Sequence, residues 1–530
     1  MVRPHRCGLL SLQLLCFSLP LSAQQPTDSA TLARIHEEGF RRSRVLATAL
    51  ELSDGTGPRL AGSPGYDSAA ARAVRRLAEW RVPSPRLEPW GRRGPDWVLE
   101  DYSVEMVAPA YLRLNAYPFA RSQRTRGTVK GPAMLLELSD DSSWARHRGQ
   151  LRGRVVLLGR PSAGGDRFAP SARRFSDAEL DSLERLTDPG APRTYWDDQL
   201  PWDSTLDHLA RRRKFLRSEG VLAVLEGSGG PAVQSPGYHT YVASSDDNLP
   251  AFSLAQDHFD RLAALLARGD GIRIEASLRS RFLRADSLGH NVIAEIPGTD
   301  PAIGREVVML GGHLDSWHPG TGAADNAAGS AVAMEAMRIL VAVGARPRRA
   351  IRLALWDGEE QEKYFGSQCY VSRHFGDPVT QRLQPEHAGL AAYFNVDHGT
   401  GRIRGVYLQG NEAARPAIGA LLEPVRTLGA GRLTLANTGG SDHMPFVAVG
   451  LPAFTFIQDP IDYESPVARV HHTNLDTGTR LLEDDLKQAA VVLASVAYGA
   501  AMRDEKVPRP PPPAARPGAA APICGALERP

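Results

Sequence analysis

Cysteine is scarce in this 530-residue chain, and two of its four, Cys7 and Cys16, fall near the start. The other two, Cys369 and Cys524, are too few for a disulfide framework, and the expectation is a buried free Cys369 rather than a bridge between them. Lysine is also rare, occurring only at Lys130, Lys214, Lys363, Lys487 and Lys506, so positive charge is almost all arginine. Lys plus Arg is 62 against Asp plus Glu 60. Neither sign is in excess, which excludes a bulk basic field for nucleic acid and an acidic solvating tail. Beyond the N-terminus no apolar run is long enough to cross a bilayer. No G-x-S-x-G elbow occurs, and "HEEGF" at His36 lacks the second histidine of H-E-x-x-H. Those absences exclude a hydrolase built on a serine elbow and a thermolysin-like metal site.

What is present begins with "MVRPHRCGLLSLQLLCFSLPLSAQQ", a basic start, an apolar run and a small residue at Ala23. That pattern predicts a secretory signal over residues 1–23, hence a secreted or periplasmic protein. The length is too great for one ordinary core. Residues 28–52 and Ala69 to Trp80 carry helical patterns, the first capped by Asp28 or Ser29. From about Tyr102 short β segments such as "GTVKGPAMLLEL" and "LRGRVVLLGRP" predict a separate β-rich unit, bounded here at 105–284. Inside it, residues 163–206 are polar and read as a solvated insertion, with a lid near the site as the sharper alternative. Strands and helices alternate from Val307, so residues 24–104 and 285–505 are assigned to an α/β domain with a mixed, largely parallel sheet flanked by helices. The Pro/Ala-rich tail, 506–530, is expected to be disordered.

Three apolar strands run into carboxylates or histidine. "VVMLGGHLD" ends in His313 and Asp315, "IRLALWDGEE" in Glu359 and Glu360, and "GLAAYFNVDHG" in Asp397 with its flanking residues. Open α/β sheets build their sites at the carboxyl ends of strands, so these groups can converge. Asp325, before the helix "AAGSAVAMEAMRIL", and His471 with His472, after the strand "LPAFTFIQ", fit the same crevice. Each alone has an ordinary structural reading: Asp325 as a cap, Glu359 and Glu360 as an acidic helix start. Together they form a ligand set for a borderline divalent metal, with one carboxylate to bridge two ions and one left free for protons.

The order His-x-Asp, Asp-Asn, Glu-Glu, Asp and a final His before Thr resembles the M28 family of co-catalytic zinc peptidases, on its carboxypeptidase branch. The upstream "GPRLAGSPGYDSAA" and "RLEPW" match the N-terminal part of that pattern, and the likeness runs to about residue 505. The resemblance implies a zinc exopeptidase fold with an inserted protease-associated domain and two Zn2+ per chain. By motif, it implies His313 and Asp397 on one zinc, Glu360 and His472 on the other, and Asp325 as the bridge. Glu359 would be the general base, and Asp315 would orient the His313 ring. Glycine and alanine in "GGHLDSWHPGTGAADNAAG" would let metals and substrate approach the backbone. Where some relatives carry a tyrosine before the last histidine, this chain has His471; Tyr463 lies near, and the choice of carbonyl-stabilising group between them stays open. Asp442 and His443 of "GGSDHMPF" are expected to line the site. The implied activity is hydrolysis of dipeptides or short peptides, as a carboxypeptidase or as an aminopeptidase, in a possible homodimer with no nucleic-acid partner. A non-catalytic zinc-binding interaction protein is a third reading, and it predicts missing ligands; none of the five is missing.

Overall fold

The β-branched run before His313 makes the strand Val307–His313, buried along its whole length. Val308 and Leu310 enter one core while Val307 and Met309 enter the other, the alternation that a strand imposes. The computed structural model describes residues 28–530 apart from 93–95, 139, 163–169, 193, 231, 234–247, 284–287, 363, 464–468, 512, 517–523 and 525–530. The expected signal peptide lies outside the described residues.

Val307–His313 sits inside an eight-stranded sheet whose spatial order is Arg86–Arg92, Leu288–Ile296, Ala350–Trp356, Val307–His313, Leu390–Asn395, Ala453–Gln458, Ile403–Tyr407, Arg432–Thr434. The middle four strands are parallel, and antiparallel partners flank them on both sides. Helices Ala328–Ala342 and Glu483–Met502 cover one face together with Ser29–Arg41 and Val45–Leu52; Phe365–His374 and Met444–Val447 cover the other. Ala328–Ala342 is buried nearly all round, which its Ala-, Met- and Val-rich sequence permits. The fold is the mixed, largely parallel α/β arrangement expected. Asp28 supplies the N-terminal cap, donated to by Thr31 N at 3.0 Å; the pattern over 28–52 divides into the two helices Ser29–Arg41 and Val45–Leu52, and the helix expected from Ala69 begins earlier, at Pro64 under a Ser63 cap.

A second eight-stranded sheet, from Trp97–Ala108 to Arg273–Phe282, has its own cores. Its first strand starts before residue 105, so the boundary expected there falls inside an element.

Two expectations fail. Cys369 is not free: it is bonded to Cys524. Nor is the described part of the tail loose. Val507 is buried, Arg509 donates to the His387 carbonyl at 2.7 Å, and Arg516 N donates to Val379 O at 3.0 Å. Proline-rich chain needs no internal hydrogen bonds and has little conformational freedom to lose, so it can lie extended against a domain.

Candidate metal centre

The carboxyl ends of the four parallel strands do converge. His313 ends its strand; Asp315 follows; Glu359 and Glu360 open a short helix three residues after Trp356; Asp397 stands two residues after Asn395; and His471 and His472 close the loop after Gln458. Asp325 reaches the same point from the segment Ala323–Ala327, ahead of the buried helix.

Asp325 joins the two halves. Its Oδ1 lies 3.2 Å from His313 Nε2, and its Oδ2 lies 3.2 Å from His472 Nε2 and 3.7 Å from His471 Nε2. His313 Nε2 is also 3.0 Å from Asp397 Oδ1, and His472 Nε2 is 2.9 Å from Glu360 Oε2. Two donor groups therefore share one carboxylate: His313, Asp325 and Asp397 on one side, and Asp325, His471 and His472 on the other. Beside the second lies a small cleft lined by Trp317, Gly320, Gly322, Asp325, Glu360, His472, Thr473 and Asp476.

The electrostatics ask for a cation. Asp315, Asp325, Asp442 and Asp476 are buried close to the Glu359–Glu360 turn, and Arg59 is the buried arginine whose charge reaches Asp315, Asp325, Glu360 and Asp476. Burial pushes the Glu359 carboxyl well up; His313 opposes this, while Asp397, Asp442 and Glu360 add to it. Glu360 is pushed up to about 7 by burial and by Asp325. Burial opposes charge on both histidines, yet Asp397 and Glu359 hold His313 well above its usual range, and Glu360 and Asp325 lift His472 to about 10. Protons on imidazole thus stand where the carboxylates favour positive charge. Asp325 Oδ2 and Glu360 Oε1 are buried without a hydrogen bond. An orphaned Asp325 oxygen facing an imidazole nitrogen, with an orphaned Glu360 oxygen beside it, fits divalent-metal ligation.

A supporting ring holds these groups. His313 Nδ1 is 3.1 Å from the Asp315 carbonyl and 3.5 Å from its Oδ1. The Asp315 carboxylate accepts from the backbone N–H of Glu359 at 3.3 Å and of Glu360 at 3.2 Å, so it positions the acidic pair as well as the ring. Asp397 Oδ2 accepts from Ser441 Oγ, the end of a buried line that runs from Trp356 Nε1 to Tyr393 OH, Asn395 and Ser441 at 2.7 Å per step.

Asp476 and Arg59 were not among the residues singled out from the sequence. Asp476 accepts from Ala324 N at 2.6 Å and Asp325 N at 3.1 Å, fixing the backbone that carries Asp325. Arg59, wholly buried, donates to the carbonyls of Leu314 and Thr321 at 2.6 Å and of Gly322 at 2.7 Å. The only sequence signal was "GPRLAG", which carries no ligand type.

Gly311, Gly312 and Gly329 serve another purpose than the one expected, whereas Gly320 and Gly322 line the space beside Asp325. A Cβ on Gly311 would meet Ala354 O at 1.9 Å, one on Gly312 would meet Val396 O at 2.5 Å, and one on Gly329 would meet Val396 O at 2.3 Å. They admit neighbouring backbone. Asp442 is buried under the site, accepting from Ser367 Oγ at 2.5 Å, with its carboxyl pushed well up by burial. His443 turns to Thr438 O at 3.1 Å instead, and burial lowers it to about 4. Tyr463 and His471 lie with ring centroids 4.5 Å apart beside Asp325, so both remain at the site's rim.

Residues 291–497 match the family described as Peptidase family M28. Carboxypeptidase Q of Mus musculus is 24% identical over 467 residues, covering 86% of each chain. The crystal structure of a peptidase M28 precursor from Shewanella amazonensis SB2B superposes with a TM-score of 0.68 at 23% identity, over 91% of this chain and 98% of that one. BSAP, a zinc aminopeptidase from Bacillus subtilis, gives 0.55 at 18% identity over 87% and 94%. Both structures share the fold.

Proposed function

We propose that this chain, a metallopeptidase of the M28 type with its family domain at residues 291–497, is an exported dinuclear zinc exopeptidase acting on dipeptides or short peptides. The observation that carries the reading is Asp325, one oxygen turned to His313 and the other to His472. His313 and Asp397 would hold one zinc, Glu360 and His472 the other, with Asp325 between them. Zinc, when bound, polarises a carbonyl and acidifies water. Glu359 takes the proton of the attacking water on its carboxylate and returns it to the leaving amine. Asp315 keeps Glu359 and Glu360 in register through their backbone N–H groups. Ser441 holds Asp397 through its far oxygen. His471 or Tyr463 at the rim contacts the substrate carbonyl, and Asp442 sets the charge behind Glu359. Residues 97–282 act as the protease-associated domain.

Carboxypeptidase specificity is favoured by the likeness to carboxypeptidase Q over most of both chains. The aminopeptidase alternative differs in the end of the peptide it must recognise, a free ammonium in place of a free carboxylate. One dipeptide offered free, N-acetylated and C-amidated separates the two. Loss of cleavage on amidation alone supports the carboxypeptidase, loss on acetylation alone the aminopeptidase, and loss on both a dipeptidase. Absence of hydrolysis of every form with zinc supplied would sink the peptidase reading. Glu359→Gln should abolish turnover while both zinc ions stay bound; full activity in that variant would remove Glu359 from its role.

A further inference from the structure

The polar insertion is not a free surface loop. Arg173 N donates to Ile461 O at 2.9 Å, and Arg174 Nη1 pairs with Asp459 at 2.9 Å and Asp485 at 2.7 Å. Further along, Arg432 pairs with Asp181 at 2.6 Å and Glu184 at 2.8 Å, and Asn437 N donates to Pro189 O at 2.7 Å. The segment therefore crosses the loop that leads to His471 and then the loop that leads to Ser441 and Asp442.

It then reaches Asp198, in the first turn of the helix Tyr195–Ser218, whose start Thr194 caps. The Asp198 carboxylate is forked between two catalytic-domain loops. Oδ1 accepts from Gly440 N at 3.0 Å, and Oδ2 accepts from Tyr364 OH at 2.8 Å. Gly440 directly precedes Ser441, the donor to Asp397, and Asp442. Tyr364 stands four residues after Glu360 with φ of 63°, in the left-handed region that a non-glycine residue seldom adopts. Its ring is buried, and burial together with Asp198 pushes the phenol well up, so it stays a donor. Ser367 Oγ, 3.1 Å from Tyr364 O, donates to Asp442 and ties the same two loops a second time.

We propose that Asp198 is a positioning residue of the peptidase site, supplied by the inserted unit, which sets the register between the Glu359–Glu360 loop and the Ser441–Asp442 loop by holding Tyr364 and Gly440 together. The proposal rests on the peptidase reading above. A base displaced by a fraction of an ångström loses rate rather than substrate, so the effect belongs in kcat.

The test compares Asp198→Ala, Tyr364→Phe and the double variant with the wild type, on the dipeptide form that the wild type cleaves. Each single variant should lower kcat about tenfold, with KM within about twofold and zinc per chain unchanged. The double variant should be no slower than the slower single, because both changes break one link. Asp198→Asn, which keeps one acceptor oxygen, should recover part of the loss. Wild-type kcat in either single variant, losses that multiply in the double, or loss of zinc would overturn the proposal. Should Asp198→Ala not fold, Tyr364→Phe and Asp198→Asn carry the same comparison. Hydrogen exchange over residues 432–443 gives a readout independent of activity: faster exchange in Asp198→Ala or Asp198→Asn supports the link, and unchanged exchange rejects it. A zinc-loaded wild type that cleaves no peptide would instead defeat the peptidase reading, leaving the exchange result to judge the link.

Discussion

Asp325 shows at the scale of one residue how a motif becomes a site. In sequence it has the position of an ordinary helix cap, but in the folded chain its two oxygens face different histidines. The same contacts set a proton linkage. A histidine must be neutral to ligate, whereas without metal His472 is lifted to about 10 and His313 is held well above its usual range. At neutral pH both start protonated, so zinc binding should release protons, and apparent affinity should rise with pH until the histidines titrate without help. Calorimetric titration of zinc in two buffers of different protonation enthalpy measures the release; heats that do not depend on the buffer would contradict it. The candidate ligands were legible as a set because metal chemistry restricts residue type. Arg59, Asp476 and the orienting role of Ser441 were not, because an arginine on backbone carbonyls or a carboxylate on backbone N–H looks like any polar surface residue until distant chain arrives.

At the scale of elements, strands were easier to read than what lies over them. Continuous apolar runs such as Val307–Leu310 specify a strand buried on both faces. The insertion and the tail carry no periodicity, and their placement depends on partners elsewhere: Arg432 for Asp181 and Glu184, His387 for Arg509, Cys369 for Cys524. The bridge closes a loop of 155 residues and fastens the tail to the helix Phe365–His374. Cys524→Ser should lower unfolding free energy by about 2–4 kcal/mol. Denaturant midpoints with and without reductant check this, and a wild type whose midpoint ignores reductant would show that the bridge contributes nothing.

The described residues form two sheets with separate cores, which meet where Trp97 and Ala120 pack with Leu60 and Trp317. Trp317 borders the candidate metal site, its ring centroid 5.9 Å from that of His472, so the two units touch beside it. Separate cores allow separate unfolding steps, and only the catalytic core is linked to metal. Calorimetry should therefore show a chelator lowering the transition of the catalytic unit while leaving that of residues 97–282 in place. A chelator that moved both equally would mean that the chain melts as one body.

By itself the sequence determined the strand ends, the residue types on them and their order, which is enough to name a metal site, because few side chains ligate and the sheet sends its loops to one edge. Only the tertiary structure decided that Asp325 lies between two histidines, that Asp198 reaches across from the inserted unit, and that the tail is fastened. Those are contacts between residues far apart in the chain, set by packing and charge pairing that no local pattern encodes.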